Sequence, residues 1–213
     1  MKLTMKRIMT LTLALMLCAT LYLAQAESGK TIAPMANDID VNSLPDGIYP
    51  VAFDLVDVQA DEGGVVINNA HIFTRDWYDI VDVNTLEVGD SIIVEGEPVE
   101  VLTLTRDDFG IAVNEGQDAR AFYLVTPEDS NGYTILGMND LGTYTDHGAT
   151  ALTFDAAATF TDAWDIEKDP VTVDYDGIAE ALRTTENDSF IADNTTVRVE
   201  AGKVVALNRA YMP

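Results

Sequence analysis

Thr196-Val-Arg-Val-Glu-Ala-Gly-Lys-Val-Val-Ala-Leu-Asn-Arg209 carries the pattern on which the fold class turns. Val197 and Val199 alternate with Thr196, Arg198 and Glu200, which places one apolar face on an extended strand. Ala201-Gly202 turns the chain, and Gly202 supplies the positive φ that a short connection needs. Val205 and Leu207 continue the apolar face. The stretch predicts a C-terminal hairpin with Val197, Val199, Val205 and Leu207 buried and Thr196, Arg198 and Glu200 in water.

The same grammar recurs upstream. Tyr49, Val51, Phe53 and Leu55 alternate with Pro50, Ala52 and Asp54. Short β-branched and aromatic runs follow at Val65–Phe73, Tyr78–Val83, Ser91–Val94, Val99–Thr105, Ala119–Val125, Tyr133–Met138 and Val171–Tyr175. Turn clusters such as Glu62-Gly-Gly64, Glu95-Gly-Glu-Pro98 and Asp129-Ser-Asn-Gly132 separate them. Short runs at regular spacing predict an all-β chain with minor helix. The expected form is an antiparallel sandwich or small barrel-like meander, with room for two packed β subdomains. Leu86–Asn114 in particular is written like a small SH3-like or OB-like barrel. Helix is expected at Gly177–Thr184, with Asp176 capping its first turn. Asp155–Trp164 reads both ways, because its alanines suit a helix while Thr159-Phe160-Thr161 suits a strand. The expected division is 1–26 as a signal peptide, 27–43 as a flexible leader, 44–126 as a β meander or barrel-like domain, and 127–213 as a second β-rich region.

The N-terminus has the three parts of an export signal in order. Lys2, Lys6 and Arg7 precede the apolar run Ile8–Leu23, and Ala24-Gln25-Ala26 gives the small-x-small pattern that a signal peptidase reads. The competing reading is an uncleaved anchor, since Ile8–Ala26 is close to bilayer-spanning length. Lipidation at Cys18 is disfavoured because Leu17 stands where a small residue is wanted. Cys18 is the single cysteine. It leaves with the signal, so the exported chain has no disulfide, thiolate metal site or cysteine nucleophile. The expected location is secreted, or on the extracellular surface of a bacterium.

Charge narrows the partners. The chain has 36 acidic and 12 basic residues; three bases and no acids lie in the signal, leaving 36 against 9, or −27. Nucleic-acid phosphates need a basic footprint, and there is none. No stretch after the signal is long and apolar enough to cross a membrane. A hydrophobic content of 47% is enough for a packed core in spite of the charge.

Several chemistries are missing. The only histidines are His71 and His147. Asp146-His147 supplies two members of a triad, but no serine sits in a Gly-x-Ser-x-Gly elbow. There is no His-Glu-x-x-His, Walker loop or dinucleotide fingerprint. Asp outnumbers Glu, 24 to 12, and Asp suits turns and oxygen-ligand cation sites. Asp174-Tyr-Asp-Gly177 fits the middle of an EF-hand loop, but Thr172 and Arg183 then fail at its two essential ends. A looser calcium site at Asp162, Asp165, Asp174 and Asp176 is the candidate metal site, and a solvated acidic face is the competing reading. Trp77 and Tyr78, in Arg75-Asp-Trp-Tyr-Asp79, are the candidate binding pair, because aromatic faces beside carboxylates hold sugar hydroxyls. Trp164, in Asp162-Ala-Trp-Asp165, has the same setting. The competing reading packs these rings in the core.

The sequence thus reads as an exported acidic binding or accessory protein acting at or outside the cell surface on a glycan, protein or wall ligand. An extracellular carboxylate-dependent or metal-assisted hydrolase is the alternative, and a structural or calcium-binding surface protein the third reading. The charge of −27 opposes passive adhesion to anionic wall polymers. Mass spectrometry of the protein secreted by a bacterial host is expected to give a chain that begins at Glu27. Recovery of the full-length chain in membranes alone would overturn that expectation.

Overall fold

The computed structural model describes residues 29–61, 64–127, 131–185 and 189–212; the expected signal peptide lies outside them. The chain first forms β1 (Thr31–Ile32), β2 (Gly47–Ala52), a 3-10 turn at Leu55–Asp57, β3 (Val58–Asp61) and β4 (Gly64–Arg75). Next come β5 (Tyr78–Asp79), α1 (Ile80–Asn84), β6 (Ser91–Val94), β7 (Glu97–Glu100), β8 (Leu104–Arg106), β9 (Ile111–Val113), β10 (Phe122–Val125) and β11 (Gly132–Gly137). The last part holds β12 (Tyr144–Ala163), β13 (Val171–Asp174), α2 (Tyr175–Thr184), β14 (Thr195–Glu200) and β15 (Lys203–Ala210). Neither α1 nor α2 is long and apolar enough to cross a membrane.

Five pairings close on themselves. β2 pairs with β4, β4 with β12, β12 with β15, β15 with β14, and β14 with β2. All are antiparallel except β12–β15, which is parallel. A three-strand meander, a parallel return and a closing strand make a five-stranded Greek-key barrel of the OB type. β3 and β13 extend its margins. Tyr49, Val51, Ile67, Ile72, Leu152, Phe160, Val197 and Leu207 fill the interior. α2 adds Ile178 and Leu182, one turn apart and fully buried. The all-β class holds, and its form is a closed barrel. The helix begins at Tyr175 with Asp174 as its N-cap, ahead of the expected start, and Asp176 lies in the first turn, where the helix dipole favours an acid. Asp155–Ala163 is strand.

A second core is inserted into the first. Tyr144 pairs with Arg75, so residues 76–143 leave and rejoin the barrel at one point on the β4–β12 ladder. They form the sheet β5-β11-β10-β9-β8 and, with β1 from the N-terminal segment, the sheet β1-β6-β7, around Tyr78, Leu86, Ile92, Val101, Phe122 and Ile135. Asn114 is fully buried at φ 58° and knots three segments together. Its Oδ1 accepts from Leu102 N–H at 2.8 Å, and its Nδ2 donates to the carbonyls of Glu100 and Arg120. Asparagine tolerates this left-handed backbone better than most residues.

This arrangement departs from the expected division. A cut after residue 126 falls between β10 and β11, which pair with each other. Both cores draw residues from either side of it. The strands of Leu86–Asn114 do not form one barrel, because β6–β7 and β8–β9 belong to different sheets. The segment expected to be a flexible leader is anchored at several points from residue 29 onward, although most of its residues are exposed. β1 pairs in parallel with Ser91–Ile92, and Ile32 enters the second core. Ile39, Val41 and Leu44 rest on the barrel core. Gly29 lies so close to Gly89 that a Cβ there would sit 2.0 Å from the Gly89 carbonyl oxygen. Only glycine fits that contact.

The terminal hairpin has the expected turn and one exchange. Ala201 (φ 50°) and Gly202 (φ 75°) connect β14 to β15 with the two positive φ values of a type I′ turn. Val197, Val199 and Leu207 are buried and Arg198 and Glu200 are exposed, while Thr196, expected in water, is half-buried. Val204, however, takes the buried position expected of Val205, which is only half-buried. The register shifts between Arg198 and Val199, so Val205 is the extra residue of a bulge and the inward face moves by one. Leu207→Ala is expected to cost about 2–4 kcal/mol in a denaturant titration, from lost transfer energy plus a residual cavity. Arg198→Ala should cost under about 1 kcal/mol, as exposed sites do. The reverse order would contradict this register.

Candidate functional site

The strand period puts Arg209 two residues beyond Leu207 on the inward face of β15, with its side chain 1% exposed. Burying a guanidinium without a partner costs on the order of several kcal/mol. The β12–β15 register supplies the partner by setting Asp162 directly beside Arg209. Arg209 Nε donates to Asp162 Oδ1 at 3.0 Å and Nη2 to Oδ2 at 2.5 Å, a two-point carboxylate contact. Nη2 also donates to Thr185 Oγ1.

Aromatic rings hold the guanidinium in a layer. Its Cζ lies 4.6 Å from the Phe190 ring centroid and 5.6 Å from that of Trp164. Phe190 stacks on Phe53 at 4.6 Å, and Trp164 meets Tyr211 at 6.4 Å. A column therefore runs from the barrel core through the cation to Trp164 and Tyr211. Trp164 N–H donates to Asp162 Oδ1, so one carboxylate positions both the cation and the start of the following loop.

That loop borders a groove of about 680 Å³. Trp164, Tyr211, Asp162 and Arg209 line it, as do Ile166, Val171 and the charged run Asp165, Glu167, Lys168 and Asp169. Ile166 is 71% exposed, Val171 60% and Tyr211 44%. The loop folds on itself at Asp165. Asp165 Oδ1 accepts from Glu167 N–H at 3.0 Å, and Oδ2 meets Lys168 Nζ at 2.8 Å. The Lys168 ammonium, and then the Glu167 N–H, hold the Asp165 carboxyl below its usual pKa. An apolar mouth, fixed aromatic faces and ionised carboxylates equip the groove to hold a ligand.

The residues expected from sequence are distributed differently. Tyr78 is fully buried in the second core and donates to the Ile93 carbonyl at 2.8 Å, so it offers no ring face to a ligand. Burial, and then the nearby Asp76 charge, push its hydroxyl well above the usual tyrosine pKa. Trp77 is half-buried and lines a separate hollow of about 480 Å³ with Phe73 and Arg75. The four aspartates do not converge. Asp162 is engaged by Arg209 and Asp165 by Lys168, while Asp174 stands at the N-cap position of α2 and Asp176 in its first turn. Among the described residues, no three His, Cys, Asp or Glu side chains gather to hold a metal. Asp146 bonds to His71 Nδ1 at 2.9 Å, while His147 Nε2 meets Thr74 Oγ1, so Asp146 and His147 do not act as a pair.

Arg209 and Tyr211 escaped the sequence reading. The signal was the hairpin period itself, which sets a cation on an apolar face and so demands an acid beside it. No family model matches the chain, and no curated protein or solved structure matches it.

Asp162→Asn leaves Arg209 charged and underpaired, and should lower the unfolding free energy by about 3 kcal/mol. Adding Arg209→Met to that variant should recover most of the loss, since replacing both members of a buried pair is often close to neutral. Urea titration of the single and double variants checks this; a double variant no more stable than the single one would refute it.

Proposed function

We propose that this chain is an exported, non-enzymatic binding protein that holds a glycan, protein or wall ligand in the groove lined by Trp164 and Tyr211. The observation that carries the reading is the layered Phe190–Arg209–Trp164 contact. It fixes an aromatic face before any ligand arrives, and preorganisation lowers the ordering cost of association. The buried cation is already neutralised by Asp162, so it supports the wall of the site and takes no part in chemistry. The hydrolase alternative requires a carboxyl kept protonated to act as general acid, which needs a raised pKa. Asp165 in the groove is shifted the other way.

The test is a thermal-shift panel of neutral oligosaccharides, wall fragments and short peptides. A ligand present at one hundred times its Kd should add about 2.7 kcal/mol of stability. The effect should vanish in Tyr211→Ala and persist in Trp77→Ala. Turnover of a panel member that is lost in Asp165→Asn would assign the groove to a hydrolase instead.

A further inference from the structure

We propose that the groove takes a cationic peptide segment of a partner protein, with an apolar side chain set against Trp164 and Tyr211 and a Lys or Arg side chain against Glu167 and Asp169. This rests on the binding reading above and narrows it to one ligand class.

The first argument is local charge. Asp162 and Arg209 cancel each other, as do Asp165 and Lys168 at 2.8 Å. Glu167 and Asp169 remain, so the lining carries a net −2. A ligand with positive charge meets complementary charge there, whereas a neutral sugar leaves it uncompensated. An anionic wall polymer is repelled by the rim and by the whole exported chain at −27.

The second argument is the mouth. Ile166, Val171 and Tyr211 stand out at 71%, 60% and 44% exposure beside one opening. Clustered apolar side chains rimmed by charge mark a surface for a protein partner. A hydroxyl-covered ring makes little use of Ile166 and Val171. The third argument is size. A cavity of about 680 Å³ is far larger than one ammonium group and suits several residues of chain.

The probes are acetyl-Lys-Phe-Lys-amide, acetyl-Glu-Phe-Glu-amide and chitotriose, titrated calorimetrically against the exported chain at 50 and 300 mM NaCl. The lysine peptide should bind one-to-one and weaken at the higher salt, and the glutamate peptide should not bind. Neutralising the rim with Asp165→Asn, Glu167→Gln and Asp169→Asn should weaken binding at least tenfold. Neutralising Asp108, Glu115 and Asp118 removes the same charge from an exposed region outside the groove and should change binding less than twofold. Tyr211→Ala should abolish binding, and it leaves the Trp164–Arg209 contact in place. Equal weakening by the two triple variants would mean diffuse attraction and overturn the proposal. Chitotriose binding that is lost in Tyr211→Ala, with the lysine peptide silent, would keep the binding reading and overturn this one. Peptide binding untouched by Tyr211→Ala would overturn both.

Discussion

One strand has to serve two partners for this barrel to close. β12 lies along β4 through Tyr144–Thr153 and along β15 from Phe154 to Ala163. A straight strand of that length would run past one of them. Register shifts at Asp146/Ala149, Thr150/Leu152 and Phe154/Thr159 bend it between the two. Both ends of β12 then acquire a use. At its start, pairing of Tyr144 with Arg75 fixes where the inserted core leaves and returns, so the insertion lengthens a connection without disturbing the ladder. At its end, pairing of Asp162 with Arg209 fixes the buried ion pair, and the next residues form the wall of the groove.

The ion pair explains why an arginine stands there. A lysine would present a compact, strongly hydrated ammonium to two rings and a carboxylate. The planar guanidinium meets all three at once, with two nitrogens on Asp162 and its Cζ over the Phe190 and Trp164 rings. Phe190 is itself held by Phe53, and Phe53 N–H donates to the Phe190 carbonyl. The groove wall is thus continuous with the barrel interior, and its rigidity derives from core packing more than from the loop that borders it.

How far the sequence could be read follows from how local each feature is. The terminal hairpin was legible because its strands are adjacent and its turn is two residues long. Even there the bulge that exchanged Val204 for Val205 left no mark in the alternation. Barrel closure was not legible, since β4 and β12 are separated by the whole of the inserted core and no turn signal joins them. Gly29 and Ile32 looked like a loose leader because two residues of strand are too few to show a period. Asp-Trp-Tyr-Asp79 and Asp-Ala-Trp-Asp165 were nearly equivalent as text. The difference is tertiary, because Tyr78 falls inside a core while Trp164 meets an arginine that lies far along the chain. The aspartates between 162 and 176 read as one cluster because they are close in sequence, yet strand, loop and helix start take them to separate places, Asp162 to Arg209 and Asp165 to Lys168.

The nine cations that follow residue 26 show what so acidic a fold asks of them. Most stand at joints between segments that are distant in sequence. Lys30 ties the N-terminal segment to the end of α1 through the Asp82 carbonyl and Thr85. Arg106 reaches the carbonyls of Val83, Asn84 and Leu86 from β8. Arg75 reaches Thr134, Arg120 reaches Glu95, and Lys203 faces Asp155. Arg183 lies in the last turn of α2, where the helix dipole favours a cation. Positive charge committed in this way holds the architecture together and leaves much of the acidic surface uncompensated. Mutual repulsion among those acids opposes compaction and is relieved by salt within a Debye length of about 10 Å at 0.1 M. The fold therefore rests on its two apolar cores and on a few well-placed cations. The surplus acidity becomes a property of the outer surface, where whatever approaches meets it before it meets the groove.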